Sequence, residues 1–450
     1  MAELEKAGVP TVALVARDFV KDWQHSAPVF GVKELPRAVV PRPFVGLKAE
    51  DIYPHVEAVF DDIVKLLTAP MAQEVTEAEG VQQAEVIAVE GEDAYLAFEN
   101  MNRMFLVQGW GDGFPLWAPM RERVDAMLKG TQREPGQVVA TLAPGLGLAT
   151  VEKIAINAVM AGCPPEALPV LIAAVEAISD PRFMLRNVAM STGAHTPLML
   201  VNGPIVKQLG INTGRCALGP GAQAAVNTAL GRSMRLIYMN IGQAYPGVMD
   251  MDTLGSPTKY SLCLGENEDA SPWEPFHVER GFERDASVVT MFTSYALTEV
   301  EDGTGTTPEE VLNTACSTAR NQGVKSVGYW LLGRRTDPQA GVGAKDKSLL
   351  LVCPVHAAVF KKYGWSKQNI REYLYKHARI PFERFMANKE AASFRSSHPG
   401  LQWLWDSPQT LLPALETPDC FEIAVAGAMG GARSTYSYGA AEPVSRPIEQ

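Results

Sequence analysis

Residues 9–16 read VPTVALVA and residues 37–41 read RAVVP, and the two runs together decide the fold class. The first is apolar and rich in β-branched residues, the mark of a strand buried in a parallel sheet, and the second reads as another strand. Between them residues 18–23 (DFVKDW) suggest a short helix. After them residues 49–67 read as an amphipathic helix, with Ile52, Val56, Val59, Phe60, Ile63, Val64 and Leu67 on one stripe. Strand, helix, strand, helix is the α/β order. Two strands and two helices are few for an independent domain. Residues 1–70 are therefore expected to be a small, incomplete α/β unit that a partner chain completes.

The chain has 450 residues, more than one core usually holds, so two or three domains are expected. Its 46% hydrophobic and 20% charged residues are those of a globular protein. The net charge of −11 argues against nucleic acid or an anionic membrane as partner, since both call for a basic footprint. The first residues lack the basic and long apolar regions of a signal peptide, and no long uninterrupted apolar run suggests a membrane span. The six cysteines, Cys163, Cys216, Cys263, Cys316, Cys353 and Cys420, are scattered and form no CxxC pair. A disulfide framework, a zinc ribbon and a thioredoxin motif are all unexpected, and reduced thiols in the cytoplasm fit best.

Residues 71–95 are acidic and weakly periodic and read as a linker. The remainder reads as a larger α/β region. Residues 112–119 (DGFPLWAP) form a Pro- and Gly-rich loop, residues 120–128 a helix, and residues 150–161 (TVEKIAINAVMA) a helix with Thr150 as N-cap. An echo runs through this region. Residues 197–204 (PLMLVNGP) and 348–355 (SLLLVCPV) are both apolar strands ending in a turn, and each follows a helix with Glu near its start (Glu152; Glu309 and Glu310). Residues 421–431 (FEIAVAGAMGG) form a third such strand. Any α/β protein repeats units of this kind. As a true repeat the echo divides the region into similar halves, 96–300 and 301–450, whose strand ends face a common cleft, where open α/β sheets bind ligands.

Cys353 and His356, in LLLVCPVHA, stand at a strand end. A thiol there, lowered by an imidazolium or a helix N-terminus, is a nucleophile or a soft metal ligand; the plain alternative is a buried Cys beside a capping His. Lys153 and Asn157 share a face of an otherwise apolar helix and call for a partner or a ligand. In residues 216–237 (CALGPGAQAAVNTALGRSMRLI) Gly219 and Gly221 would present backbone N–H groups to an anion at a helix start, with Arg232 and Arg235 further down; a tight turn explains the glycines equally well. No nucleotide motif is present. Residues 256–282 gather Lys259, Cys263, Glu266, Asn267, Glu268, Trp273 and His277 among Pro and Gly, either a functional loop or a solvated one. Glu266 and His277 are the acid/base candidates there, and His195 is a lone candidate before a strand.

Residues 4–19 (LEKAGVPTVALVARDF) and 36–44 (PRAVVPRPF) resemble the region just downstream of the redox motif in UGSC-family (seleno)proteins, named for a Sec/Cys-Gly-Ser-Cys motif. The stretches GWGDGFPLWAP, ATVEKIAINAVMAGCPPEALPVLIAAVEA, GPGAQAAVNTALGRSMRLI, ENEDASPWEPFHVERGF, VCPVHA, GWSKQNIREYLYKHARIP and VSRPI resemble the large domain fused to or encoded with that unit. The chain departs from the pattern in lacking the motif itself, in carrying Val355 where an acidic residue is expected, and around His195. The resemblance implies that a separate small polypeptide with a Cys/Sec-Gly-Ser-Cys motif supplies the thiol or selenol, in a hetero-oligomer.

The expectation is thus a subunit of a small-molecule enzyme doing thiol- or selenol-linked redox or sulfur chemistry. Lys153, Cys353, His356, Glu266 and His277 are its catalytic candidates, and Asn157, Gly219, Gly221 and Arg232 its substrate-binding candidates. The alternatives are a metal-dependent lyase or hydrolase, with His195, Cys353 and His356 as ligand candidates, and a non-catalytic scaffold subunit.

Overall fold

The computed structural model describes the chain except residues 30–31, 33, 45–48, 70–85, 324–325, 328–329, 332–335, 338–341, 344, 387–394, 396–397 and 450. Most of the expected linker lies outside the described residues. The protein is α/β, and no helix among the described residues is long and apolar enough to cross a membrane.

The amino-terminal unit holds strand β1 (Ala13–Ala16), helix α1 (Val20–Val29) and strand β2 (Arg37–Val40). The strands pair in parallel, Ala13 opposite Arg37 and Ala16 opposite Val40, with α1 on the crossover between them. The amphipathic stretch expected as one helix is divided into α2 (Ala49–Glu57) and α3 (Phe60–Thr68). Pro54 removes a backbone donor within α2, and Val59 leaves helical geometry at φ −116°, ψ 6°. No residue of either helix is fully buried, and Tyr53, Phe60, Val64 and Leu67 are exposed.

The chain resumes with α4 (Ala94–Val107), α5 (Arg121–Leu128) and the hairpin β3 (Val138–Leu142) and β4 (Gly147–Thr150). The expected N-cap is present: Thr150 accepts a 3.2 Å hydrogen bond from Lys153 N at the head of α6 (Val151–Ala161). That helix ends at Gly162, whose φ of +83° is left-handed. Helix α7 (Leu168–Ser179), strand β5 (Thr196–Asn202), helix α8 (Ala225–Asn240) and strands β6 (Cys263–Gly265) and β7 (Val288–Ser294) follow. Beyond them lie β8 (Leu297–Glu301), α9 (Pro308–Gln322), β9 (Ser348–Val352), α10 (Pro354–Lys362), α11 (Lys367–His377), β10 (Phe421–Val425), β11 (Arg433–Tyr438) and β12 (Val444–Pro447).

These strands form two four-stranded sheets, β12-β7-β5-β6 and β8-β11-β9-β10. The directions match strand for strand. β5 is parallel to β6 and antiparallel to β7, which is antiparallel to β12. β9 is parallel to β10 and antiparallel to β11, which is antiparallel to β8. The chain passes from sheet to sheet through residues 295–296 and returns through 439–443, so the carboxy-terminal strand β12 completes the first sheet.

The strands alternate their side chains between two cores. Leu198, Leu200, Leu264 and Phe292 of the first sheet meet Leu349, Leu351 and Ala424 of the second in one buried cluster. Met199, Val201, Val289 and Met291 face α6 and α7, while Leu350, Val352, Ile423 and Val425 face α9, α10 and α11. The layers are helix, sheet, sheet, helix. Burial on both faces is why PLMLV and SLLLV read as continuous apolar runs.

The carboxyl ends of the central strands come together. Asn267 N, just after β6, donates to Val425 O at the end of β10 (2.7 Å), and Asn267 Nδ2 donates to Gly427 O (2.9 Å). Gly427 N in turn donates to Thr213 O (2.8 Å).

Candidate functional site

Strand β9 delivers Cys353 to this end of the sandwich, where it is the N-cap residue of α10. Pro354 occupies the first helical position, where its missing N–H costs no hydrogen bond and its fixed φ starts the helix. His356 follows in the first turn, and both side chains are buried. Gly427, at φ +94°, brings the β10–β11 turn against the helix start, so that a Cβ there would lie 4.0 Å from Pro354 Cδ.

The imidazole is held at both nitrogens. Nε2 lies 3.1 Å from Asp302 O, just past β8, and Nδ1 lies 2.7 Å from Ser434 Oγ on β11. Ser434 Oγ also accepts the Cys353 backbone N–H at 3.0 Å. Burial pushes the Cys353 thiol up, but His356, together with Ser434, outweighs it and holds the thiol below the ordinary value. Burial pushes His356 down, but Cys353 and Asp302 raise it above the usual histidine range. Cys163 and Cys316 behave oppositely: burial drives them up to about 12 and about 11. Cys263 is also pushed up by burial.

The other candidates are placed apart from this pair. Lys153 is exposed on the first turn of α6, whereas Asn157 turns inward. Asn157 donates to Lys153 O (2.8 Å) and accepts from Asn240 Nδ2 of α8 (2.8 Å), so the shared polar face is a helix–helix tie. Arg232 forks onto Asp112 at 2.6 and 2.9 Å and also reaches Phe114 O and Pro115 O, closing the DGFP loop onto α8. Gly219 and Gly221 sit in a turn separated from α8 by a 3-10 turn at Ala222–Ala224, so they do not stand at the helix start. Arg215, just before this turn, donates to Met429 O in the β10–β11 turn (3.2 Å).

Glu266 and His277 are wholly enclosed. Glu266 accepts from Phe276 N (2.6 Å) and Asn202 Nδ2 (2.5 Å), and burial pushes its carboxyl up against the pull of Lys367. His277 Nε2 lies 3.3 Å from Arg284 O, and Nδ1 lies 3.9 Å from Glu268. The rest of residues 256–282 ties this segment to the helices that cover the second sheet. Trp273 Nε1 donates to Trp365 O (2.7 Å), and Glu279 pairs with Lys367 (2.9 Å) and Arg371 (2.6 Å) of α11. The segment, which reads as either a functional loop or a solvated one, makes these internal contacts as a brace.

His195 lies at the other end of the sandwich. Its ring is 3.5 Å from that of Tyr295, which stacks on Tyr438, and Tyr438 is paired with Ser348 at the start of β9. Cys353 follows the far end of β9, roughly 16 Å along the strand at about 3.3 Å per residue. His195 therefore does not join Cys353 and His356 in a ligand set. Among the described residues no three His, Cys, Asp or Glu side chains gather as metal donors.

The comparisons bear on the other end of the chain. Residues 2–69 match the model of the UGSC family. No curated protein and no solved structure matches the chain. The UGSC match covers β1, α1, β2, α2 and α3 and ends before the two-sheet body, so the Cys353 site lies outside it. The sequence likeness seen at residues 4–19 and 36–44 falls within the matched segment.

Ser434 and Asp302 escape sequence reasoning. Ser434 is 78 residues from His356 and Asp302 is 54, and Asp302 contributes only its carbonyl oxygen, which every residue type possesses.

Proposed function

We propose that this chain is the thiol-bearing subunit of a small-molecule enzyme, with Cys353 as nucleophile and His356 as the group that receives its proton. What supports the reading is geometry: Cys353 caps α10 at a strand end, with His356 in the first turn held by Ser434 and Asp302. These neighbours hold the thiol below its ordinary value while burial raises Cys163, Cys263 and Cys316. In the proposed step the thiol proton passes to His356 and the sulfur forms a bond to an electrophilic carbon of a small polar substrate. The electron pair displaced at that carbon moves to its oxygen or leaving group. A second polypeptide with a Cys/Sec-Gly-Ser-Cys motif docks at the UGSC segment and supplies a further thiol or selenol. The exposed Tyr53, Phe60, Val64 and Leu67 support such a contact.

The test is the rate of Cys353 alkylation by iodoacetamide against pH, followed by peptide mass spectrometry in a Cys216→Ser background. Faster reaction at neutral pH than a free thiol, lost in His356→Gln, is expected. A rate and a midpoint indistinguishable from an ordinary cysteine, with reagent access shown at high pH, would overturn the reading.

A further inference from the structure

We infer that a cleft between α9, the start of β8 and the short helix Phe382–Met386 is a second site, which binds a small molecule carrying two or more phosphate or carboxylate groups. The cleft has a volume of about 610 Å³, within the range that small ligands occupy. One wall is a face of α9, where Thr314, Ser317 and Thr318 follow one another at helical spacing. The opposite face of that helix, with Leu312, Ala315, Cys316 and Ala319, is buried in the core. β8 adds Thr298, and Phe382–Met386 adds Arg384. Every side chain lining the cleft is polar, and among the described residues none is a carboxylate.

Two guanidinium groups, Arg320 and Arg384, set the charge of the cleft. Arg320 is braced along α9: Nε donates to Cys316 O (3.3 Å) and one terminal nitrogen to Ser317 Oγ (3.0 Å), which leaves the other terminal nitrogen for a ligand. Arg384 has no hydrogen-bond or ion-pair partner among the described residues. The nearby carboxylates are engaged elsewhere. Glu383 accepts from Gln409, and Glu299 and Glu301, which alternate with Thr298 along β8, pair with Arg433. Two unneutralised guanidinium groups outweigh the roughly half negative charge at the end of α9. Their planar forks match carboxylate and phosphate oxygens. Thr298 Oγ1 accepts from Gln322 Nε2 (2.6 Å) and keeps its own proton to donate to the anion. The cleft is separate from the thiol pair. Thr298 stands four residues before Asp302, whose carbonyl faces His356, or roughly 13 Å along the strand at about 3.3 Å per residue. The inference therefore does not depend on the thiol reading.

The experiment is isothermal titration calorimetry of the full chain with inorganic pyrophosphate and, in a separate arm, with citrate. Saturable binding of at least one probe to a single site is expected, and the tighter arm tells whether phosphate or carboxylate is the preferred group. Arg384→Gln and Arg320→Gln are each expected to weaken it about tenfold, the loss of one charge-assisted hydrogen bond. Arg123→Gln, which removes an exposed arginine of α5, is expected to leave it unchanged. Hydrogen exchange in α9 should slow when the probe is added, and melting curves confirm that each variant is folded. Failure of both probes to bind at millimolar concentration would overturn the inference. So would binding that Arg384→Gln and Arg320→Gln leave intact, or that Arg123→Gln weakens equally, since the anion would then be held elsewhere or by net charge alone.

Discussion

His356 Nδ1 lies 2.7 Å from Ser434 Oγ, a contact between the first turn of one helix and a strand 78 residues away. It joins α10 to β11 beneath the Cys353 backbone N–H, so the orientation of the imidazole and the start of the helix are set by the same hydroxyl.

His356→Gln is expected to raise the midpoint of Cys353 ionisation. The folded thiol lies below its ordinary value because of His356, so its contribution to stability is complete above that ordinary value and is lost as pH falls through the folded one. The raised His356 contributes in the reverse sense, fully below its ordinary value and lost as pH rises through the folded one. Thiolate absorbance from pH 5 to 10, compared between the parent and His356→Gln, checks the direction.

Glu279→Gln is expected to weaken the tie between the 256–282 segment and α11 by about 1.5–3 kcal/mol, the scale of a charge-assisted hydrogen bond. Burial raises the Glu279 carboxyl, but Lys367 and Arg371 bring it below the usual range. Its contribution is present above the ordinary glutamate value and is lost as pH falls through the folded one. Urea midpoints measured at pH 7 and pH 4 should differ less in Glu279→Gln than in the parent.

Leu200→Ala and Leu351→Ala each remove a fully buried side chain from the cluster between the sheets. Each is expected to cost about 2–5 kcal/mol. Because the cluster belongs to both sheets, hydrogen exchange should accelerate in β5 and in β9 for either variant. Acceleration confined to the mutated sheet would show that the two sheets open separately.

Arg232→Gln leaves the Asp112 carboxylate buried without its guanidinium. Roughly 3–5 kcal/mol of destabilisation is expected, seen as a lower melting temperature. The Cys353 midpoint should be unchanged, since Arg232 serves the DGFP loop and α8. A change in that midpoint would tie Arg232 to the thiol site.

Where a residue's fate followed from its near neighbours, it was legible in the chain. Thr150 capping α6, the strands β1 and β2, and the strands in PLMLV and SLLLV all rest on local propensity and hydrophobic pattern. Cys353 and His356 were legible as a pair because three positions along a strand end and helix start bring them together. Charge was misleading. Arg232 and Asn157 read as ligand-seeking groups, yet each found a partner on an element far away in sequence.

By itself the sequence determined the α/β class, the central strands and the Cys353–His356 pair, because all of these depend on residues within one turn or one strand of each other. Only the tertiary structure decided that two sheets stack with matching strand order, that β12 closes the first of them, and that Ser434 and Asp302 face the imidazole. Those outcomes depend on which distant backbones pair and which faces are buried together. No local pattern in a chain encodes that choice; the packing of the two sheets makes it.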